Sequence, residues 1–151
     1  MVEIKQMETR RLLPCRGMSL ALKRTPLVMG IVNVTPDSFS DGGEFLAVDK
    51  AIEHARRLAE EGADIIDIVG ESTRPGSDPV PADEEMNRVL PVVEALVPET
   101  RIPISIDTRK PEVARAALEA GCHIVNDVSA CADGTMAEVI AAFDVPVVIM
   151  H

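Results

Sequence analysis

Five polar side chains in this sequence stand where apolar runs end or are interrupted: Asn33, Asp67, Arg74, Asp107 and Asn126. Asp107 and Asn126 close the segments Pro103 to Asp107 and His123 to Asn126, and together they offer carboxylate and amide groups suited to the donor-rich edge of a flat heteroaromatic ring. Arg74, between Thr73 and Pro75-Gly76, suits capture of an anion, although its setting alone leaves open a solvated loop arginine. Asn33 either caps a turn or gives one oxygen to a divalent cation such as Mg²⁺, which keeps most of its waters. Asp67 lies deeper in its segment and reads as a core carboxylate satisfied by hydrogen bonds, since an unpaired one would cost several kcal/mol or be protonated.

These residues need elements to hold them. From Leu27 to Asn33 an apolar run gives way to the polar loop Thr35 to Gly43, the pattern of a buried strand passing into a connection. Pro36 removes a backbone N–H and the helical pattern starts only near Val48, so side chains must bind here in place of a glycine-rich phosphate cradle. Further strands are expected to begin near residues 64, 103, 123 and 146. The spacing predicts helices over 48–61, 83–96, 111–120 and 136–143, with a kink or break near Arg88 ahead of Pro91. Gly62 and Gly121 serve as C-caps, Pro111 opens its helix, and residues 11–22 form a small β-hairpin.

Strands alternating with helices require parallel pairing through right-handed crossovers. Polar groups at every strand end describe the mouth of a (β/α)₈ barrel better than the single switch point of an open sheet. A complete barrel takes roughly 250 residues, so 151 residues supply about five strands and four helices, half a barrel within one domain. Alternation then assigns the faces: Asp107 with Ser105, Asn126 with Ile124 and Val128, and Met150 with Val148 look into the barrel, while Asp127 and His151 look toward the helices. Asp127 is thus a capping or structural acid and His151 a poor catalytic candidate. Two open sheet edges and an exposed apolar lumen of Met29, Ile31, Ile124, Val128, Val148 and Met150 are expected to make the isolated chain associate or stay partly molten.

Composition narrows the alternatives. A net charge of −10, with no Trp or Tyr and three Phe, argues against a nucleic-acid surface. No apolar run reaches the ~18 residues of a membrane span and the N-terminus lacks a signal-peptide core, which suggests a cytoplasmic protein. Cys15, Cys122 and Cys131 contain no Cys-x-x-Cys pair and read as reduced thiols.

NVTPDSFSDGG at 33–43 and GADIIDIVGESTRPG at 62–76, followed by Ile106-Asp107-Thr108 and Val125-Asn126-Asp127, resemble the signatures of the dihydropteroate synthases. The resemblance implies a (β/α)₈ barrel that joins 6-hydroxymethyl-7,8-dihydropterin diphosphate to p-aminobenzoate in folate biosynthesis, releasing pyrophosphate, with sulfonamides competing for the aminobenzoate position. It implies that Asn33 helps hold Mg²⁺ and the diphosphate, that Thr73 and Arg74 contact the diphosphate, and that Asp107 and Asn126 bind the pterin between walls of Val128 and Met150. Asn33, Arg74 and Asp107 would carry the catalysis. The loops after Asn33 and Thr73 would close as lids, with Phe39 and Pro75 against the aromatic amine. The complete enzyme would be a homodimer. The family's later pterin-binding Asp and Lys and its Arg-x-His segment have no counterpart among these residues, so this chain alone is expected to be inactive. Pterin-dependent methyltransferases share a related barrel, and a non-catalytic half-barrel that binds pterin or a partner is the other alternative.

Overall fold

The computed structural model describes residues 11–22, 25–34, 43–72, 79–132 and 134–150. Two sheets are present. Strands β1 (Arg11–Cys15) and β2 (Met18–Leu22) pair antiparallel around a tight turn in which Arg16 and Gly17 both have positive φ, 39° and 83°. A turn with two left-handed central residues matches the twist of a hairpin, and glycine makes the second of them inexpensive.

The larger sheet has five parallel strands in sequence order: β3 (Met29–Asn33), β4 (Ile65–Val69), β5 (Ile104–Asp107), β6 (Ile124–Asp127) and β7 (Val147–Ile149). Helices α1 (Gly43–Glu60), α2 (Ala82–Leu96), α3 (Pro111–Glu119) and α4 (Gly134–Phe143) make the crossovers. Neighbouring strands that are consecutive in sequence and parallel form the successive βα units of a barrel wall.

One face of the sheet is dry because the helices cover it. Val32, Ile66, Ile68, Ile104, Ile106 and Val125 form one core with Ala51 and Ala55 of α1, Val89, Val92, Val93 and Leu96 of α2, Val113, Ala117 and Leu118 of α3, and Met136 and Val139 of α4. Gly70 permits the closest approach, since a Cβ there would lie 2.6 Å from Val89 Cγ1 and 2.8 Å from Glu85 Cγ. Helix α2 runs unbroken through Pro91, so of the kink or break expected near Arg88 the break does not occur. Pro91 is exposed, and the buried stripe on either side of it supplies more than the single hydrogen bond that proline forfeits. Helix α1 begins at Gly43, five residues before the expected start near Val48.

The opposite face is the barrel lumen, and the hairpin closes its lower end. Cys15 and Leu20 pack with Ile65 and Ile124, and Leu13, Met18, Leu27 and Met29 surround them. Ile124, expected to be exposed, is therefore only 1% accessible, and Met29 and Val128 are half-buried. Higher on this face Ile31, Val148 and Met150 are exposed as expected, at 55%, 39% and 63%. Arg16 fixes the plug from below: its guanidinium donates to the carbonyls of Leu118 and Cys122 and lies 5.5 Å from the centroid of the Phe143 ring.

Candidate functional site at the strand ends

The register brings the expected polar residues together. Asn33 pairs with Val69, Val69 with Asp107, Asp107 with Asn126, and Asn126 with Val148, so these residues form one rung at the upper end of the lumen face. Immediately beneath lies the rung Ile31, Asp67, Ser105 and Ile124. Paired residues of a parallel ladder share a face, and this ladder therefore puts Ser105 directly under Asp107, with Asp67 beside Ser105 in the same lower rung.

Asn126 Nδ2 donates to Asp67 Oδ2 at 2.9 Å. That bond directs one edge of the amide downward and makes Asp67 more than a core residue. The sequence reading of Asp67 as fully satisfied holds for one oxygen only. Among the described residues its Oδ1 finds no hydrogen-bond partner, and neither do Ser105 Oγ and Asp107 Oδ1, all of them buried. Burial raises the Asp67 pKa, while the hydrogen bond from the Asn126 amide tempers the rise. Asp107 is pushed up to about 7, by burial first and then by the negative charges of Asp67, Glu85 and Asp127. Buried acceptors without partners on adjacent strands cost free energy unless a ligand completes them, and this marks the rung pair as a recognition surface.

A charged network that sequence reasoning missed stands beside Asp107. Lys110 pairs with both Glu71 and Glu85, Arg109 pairs with Glu71, and the backbone N–H of Val80 donates to Glu71 Oε2 at 3.3 Å. These residues share one narrow crevice with Asp107, Thr108 and Val128. Glu85 belongs to the acidic first turn of α2, which reads as solvated surface, yet it is 1% accessible because α2 presses onto Gly70. The hydrogen bonds and charges of Lys110 and Arg109, with the Val80 N–H, hold the Glu71 carboxyl below its usual range despite burial.

Asp127 is the structural acid expected. Its Oδ1 accepts from the backbone N–H and hydroxyl of Ser129 at 2.8 and 2.7 Å, and its Oδ2 from the N–H of Cys131 at 2.8 Å. The turn so held places Ala130 and Cys131 at φ 54° and 57° and leaves Val128 against the crevice. Asn33 and Met150 are exposed, Asn33 at the end of β3 and Met150 one residue beyond β7. Thr73, Arg74, Pro75, Phe39 and His151, with the loop Thr35 to Gly42, lie outside the described residues. The three cysteines are unpaired, and burial pushes the Cys122 thiol up to about 12, which suits a core residue and not a nucleophile. Among the described residues no cluster of His, Cys, Asp and Glu has the form of a metal site, and no helix is long and apolar enough to cross a membrane.

Residues 29–151, the parallel barrel wall with polar groups at its strand ends, match the family model for pterin binding enzymes, and the chain belongs to that family. It is 54% identical over 134 residues to a dihydropteroate synthase of Bacillus subtilis, covering 88% of this chain and 47% of that protein. Among solved structures, the Xanthomonas albilineans dihydropteroate synthase with 4-aminobenzoic acid superposes with a TM-score of 0.89 at 56% identity, covering 95% of this chain and 52% of the other. The same enzyme in complex with 7,8-dihydropteroate gives a TM-score of 0.79 at 50% identity, over 93% and 51% of the two chains. The chain spans about half the length of these relatives.

Proposed function

We propose that this chain supplies the pterin-recognising part of a dihydropteroate synthase, which joins 6-hydroxymethyl-7,8-dihydropterin diphosphate to p-aminobenzoate and releases pyrophosphate. The observation that carries the reading is the pair of rungs formed by Asp67, Ser105, Asp107 and Asn126, whose unpartnered acceptors face the lumen. A pterin presents N–H and amino donors along one edge, the complement of those oxygens. Asn126 adds a fixed amide, and Val128 and Met150 supply the apolar walls on which the ring lies.

The reaction breaks the bond between the pterin methylene carbon and the diphosphate oxygen. Positive charge spreads into the ring while the leaving group takes the electron pair, and the amine nitrogen of p-aminobenzoate then forms the new C–N bond and loses its proton. Carboxylates beneath the ring stabilise the first charge, and cationic groups near the mouth stabilise the second. Thr73 and Arg74 take the diphosphate end in this reading, and Phe39 and Pro75 flank the aromatic amine and keep water away. A neutral aniline needs no strong base. Mg²⁺ fits Asn33, a hard oxygen donor in an exposed position at the end of β3, and the ion would neutralise charge on the diphosphate. The reading carries with it a cytoplasmic location and a homodimeric complete enzyme.

Isothermal titration of the protein with 6-hydroxymethylpterin, beside a pyrophosphate-release assay, tests this. Asp107→Ala should weaken binding of the bare pterin by roughly 1.5–3 kcal/mol, the range for a hydrogen bond to a charged group. Arg74→Ala should spare the bare pterin and weaken only the diphosphate. Equal losses would remove the division of roles.

A further inference from the structure

Lys110 is the unexplained residue of the site. Its ammonium enters the wall of the barrel between two carboxylates that come from different elements, Glu71 just beyond β4 and Glu85 in the first turn of α2. Glu71 is 7% and Glu85 1% accessible at the side chain, so neither is solvated in place of the pairing. Two buried carboxylates converge on this one ammonium in the crevice that Asp107 shares. Arg109, itself largely exposed, meets the second oxygen of Glu71. Glu85 Oε1 is left without a partner. Asp107 shares the crevice with all four of these residues.

We propose that Lys110 is a positioning residue for the pterin end of the site: by cancelling Glu71 and Glu85, it fixes the charge state in which Asp107 meets the ring. The inference rests on the pterin reading above and deepens it. Asp67 of β4, Glu85 of α2 and Asp127 of β6 oppose its ionisation. Glu71 is held in its charged form by Lys110 and Arg109 from the β5–α3 connection. Deleting the ammonium leaves Glu85 uncompensated and Glu71 with Arg109 alone, and Asp107 then holds its proton to higher pH. The same position explains why a lysine, with one compact charge and three donors, stands where two acceptors on separate elements must be reached at once.

Carboxyl-detected NMR titration of Asp107 in the protein and in Lys110→Met, Lys110→Arg and Glu85→Gln tests the proposal, with 6-hydroxymethylpterin binding followed over the same pH range. Lys110→Met should raise the Asp107 midpoint by about one pH unit, a tenfold change in proton affinity. Lys110→Arg should restore it. Glu85→Gln removes a like charge, should lower the midpoint, and carries the test if the methionine variant does not fold. The pH dependence of pterin binding should move in step. An Asp107 midpoint unmoved in both Lys110→Met and Glu85→Gln would overturn the proposal. A shifted midpoint with unaltered pterin binding would uphold the role of Lys110 and overturn the pterin reading.

Discussion

The two ends of the lumen are built from the same strands and solve opposite problems. At the lower end the hairpin buries apolar rungs, and its turn residue Arg16 finds two carbonyls and an aromatic ring. His123 lies there too, buried, with Nδ1 accepting the backbone N–H of Ile104 at 3.2 Å. At the upper end Asp67, Ser105 and Asp107 are buried with oxygens unpartnered. A lower end with Arg16 satisfied contributes stability, whereas the upper end gives some of it up to keep acceptors ready for a ligand. The contrast predicts that the two ends respond oppositely to mutation and to pH.

The largest effect should come from the plug. Leu20 is 8% accessible and packs on Ile65 and Ile124, so Leu20→Ala should cost about 2–4 kcal/mol of stability by losing buried area and leaving a cavity. Denaturant melts followed by circular dichroism measure it. A loss below 1 kcal/mol would mean that the hairpin is an appendage and not a plug. Arg16→Met should follow at roughly 1.5–3 kcal/mol, the worth of charge-assisted bonds to carbonyls, with pterin affinity unchanged. Any loss of affinity in that variant would join the two ends that the comparison separates.

The upper end should behave in reverse. Asp107 has its folded pKa raised to about 7 from the ordinary 3.8 of an aspartate. Below 3.8 both states hold the proton. As pH rises from there toward 7 the unfolded chain ionises first, and stability is lost across that window. Asp107→Asn should therefore stabilise the protein at pH 8, by an amount on the order of 1–3 kcal/mol, and hardly at all at pH 4. The same variant should weaken pterin binding. Thermal melts at the two pH values decide this, and destabilisation at pH 8 would show that the carboxylate is a structural asset.

How far the sequence reached follows the same division. Strands and helices were legible because apolar runs, glycines and prolines mark them locally, and alternation along β5 and β6 correctly paired Asp107 with Ser105 and separated Asn126 from Asp127. Relations between distant segments were not legible. Nothing local in Arg11 to Leu22 says that it turns back under the lumen, so Ile124 was expected in the open. Glu85 looks like any acid in a helical first turn, and its burial depends on a glycine fifteen residues earlier that lets α2 close on the sheet. Asp67 read as satisfied because local pattern cannot count the oxygens left over.

The smallest effect isolates the lower end. Burial, and then the Arg16 charge, lower the His123 pKa from 6.5. Above 6.5 both states are neutral, so His123 adds no pH dependence there. As pH falls through 6.5 the unfolded chain takes up a proton that the buried ring refuses, and stability is lost on the acid side until the folded pKa is passed. In the wild-type protein this loss is masked, because Asp67 and Asp107, with raised pKa values, favour the folded state on acidification. The D67N/D107N double variant removes the mask. Its stability should fall between pH 7 and pH 5, where the wild type gains or stays level. Urea melts at half-unit steps measure the slope. A flat profile in the double variant would mean that His123 takes a proton in place, that the Ile104 N–H then loses its acceptor without cost, and that the lower end is not the satisfied region its geometry describes.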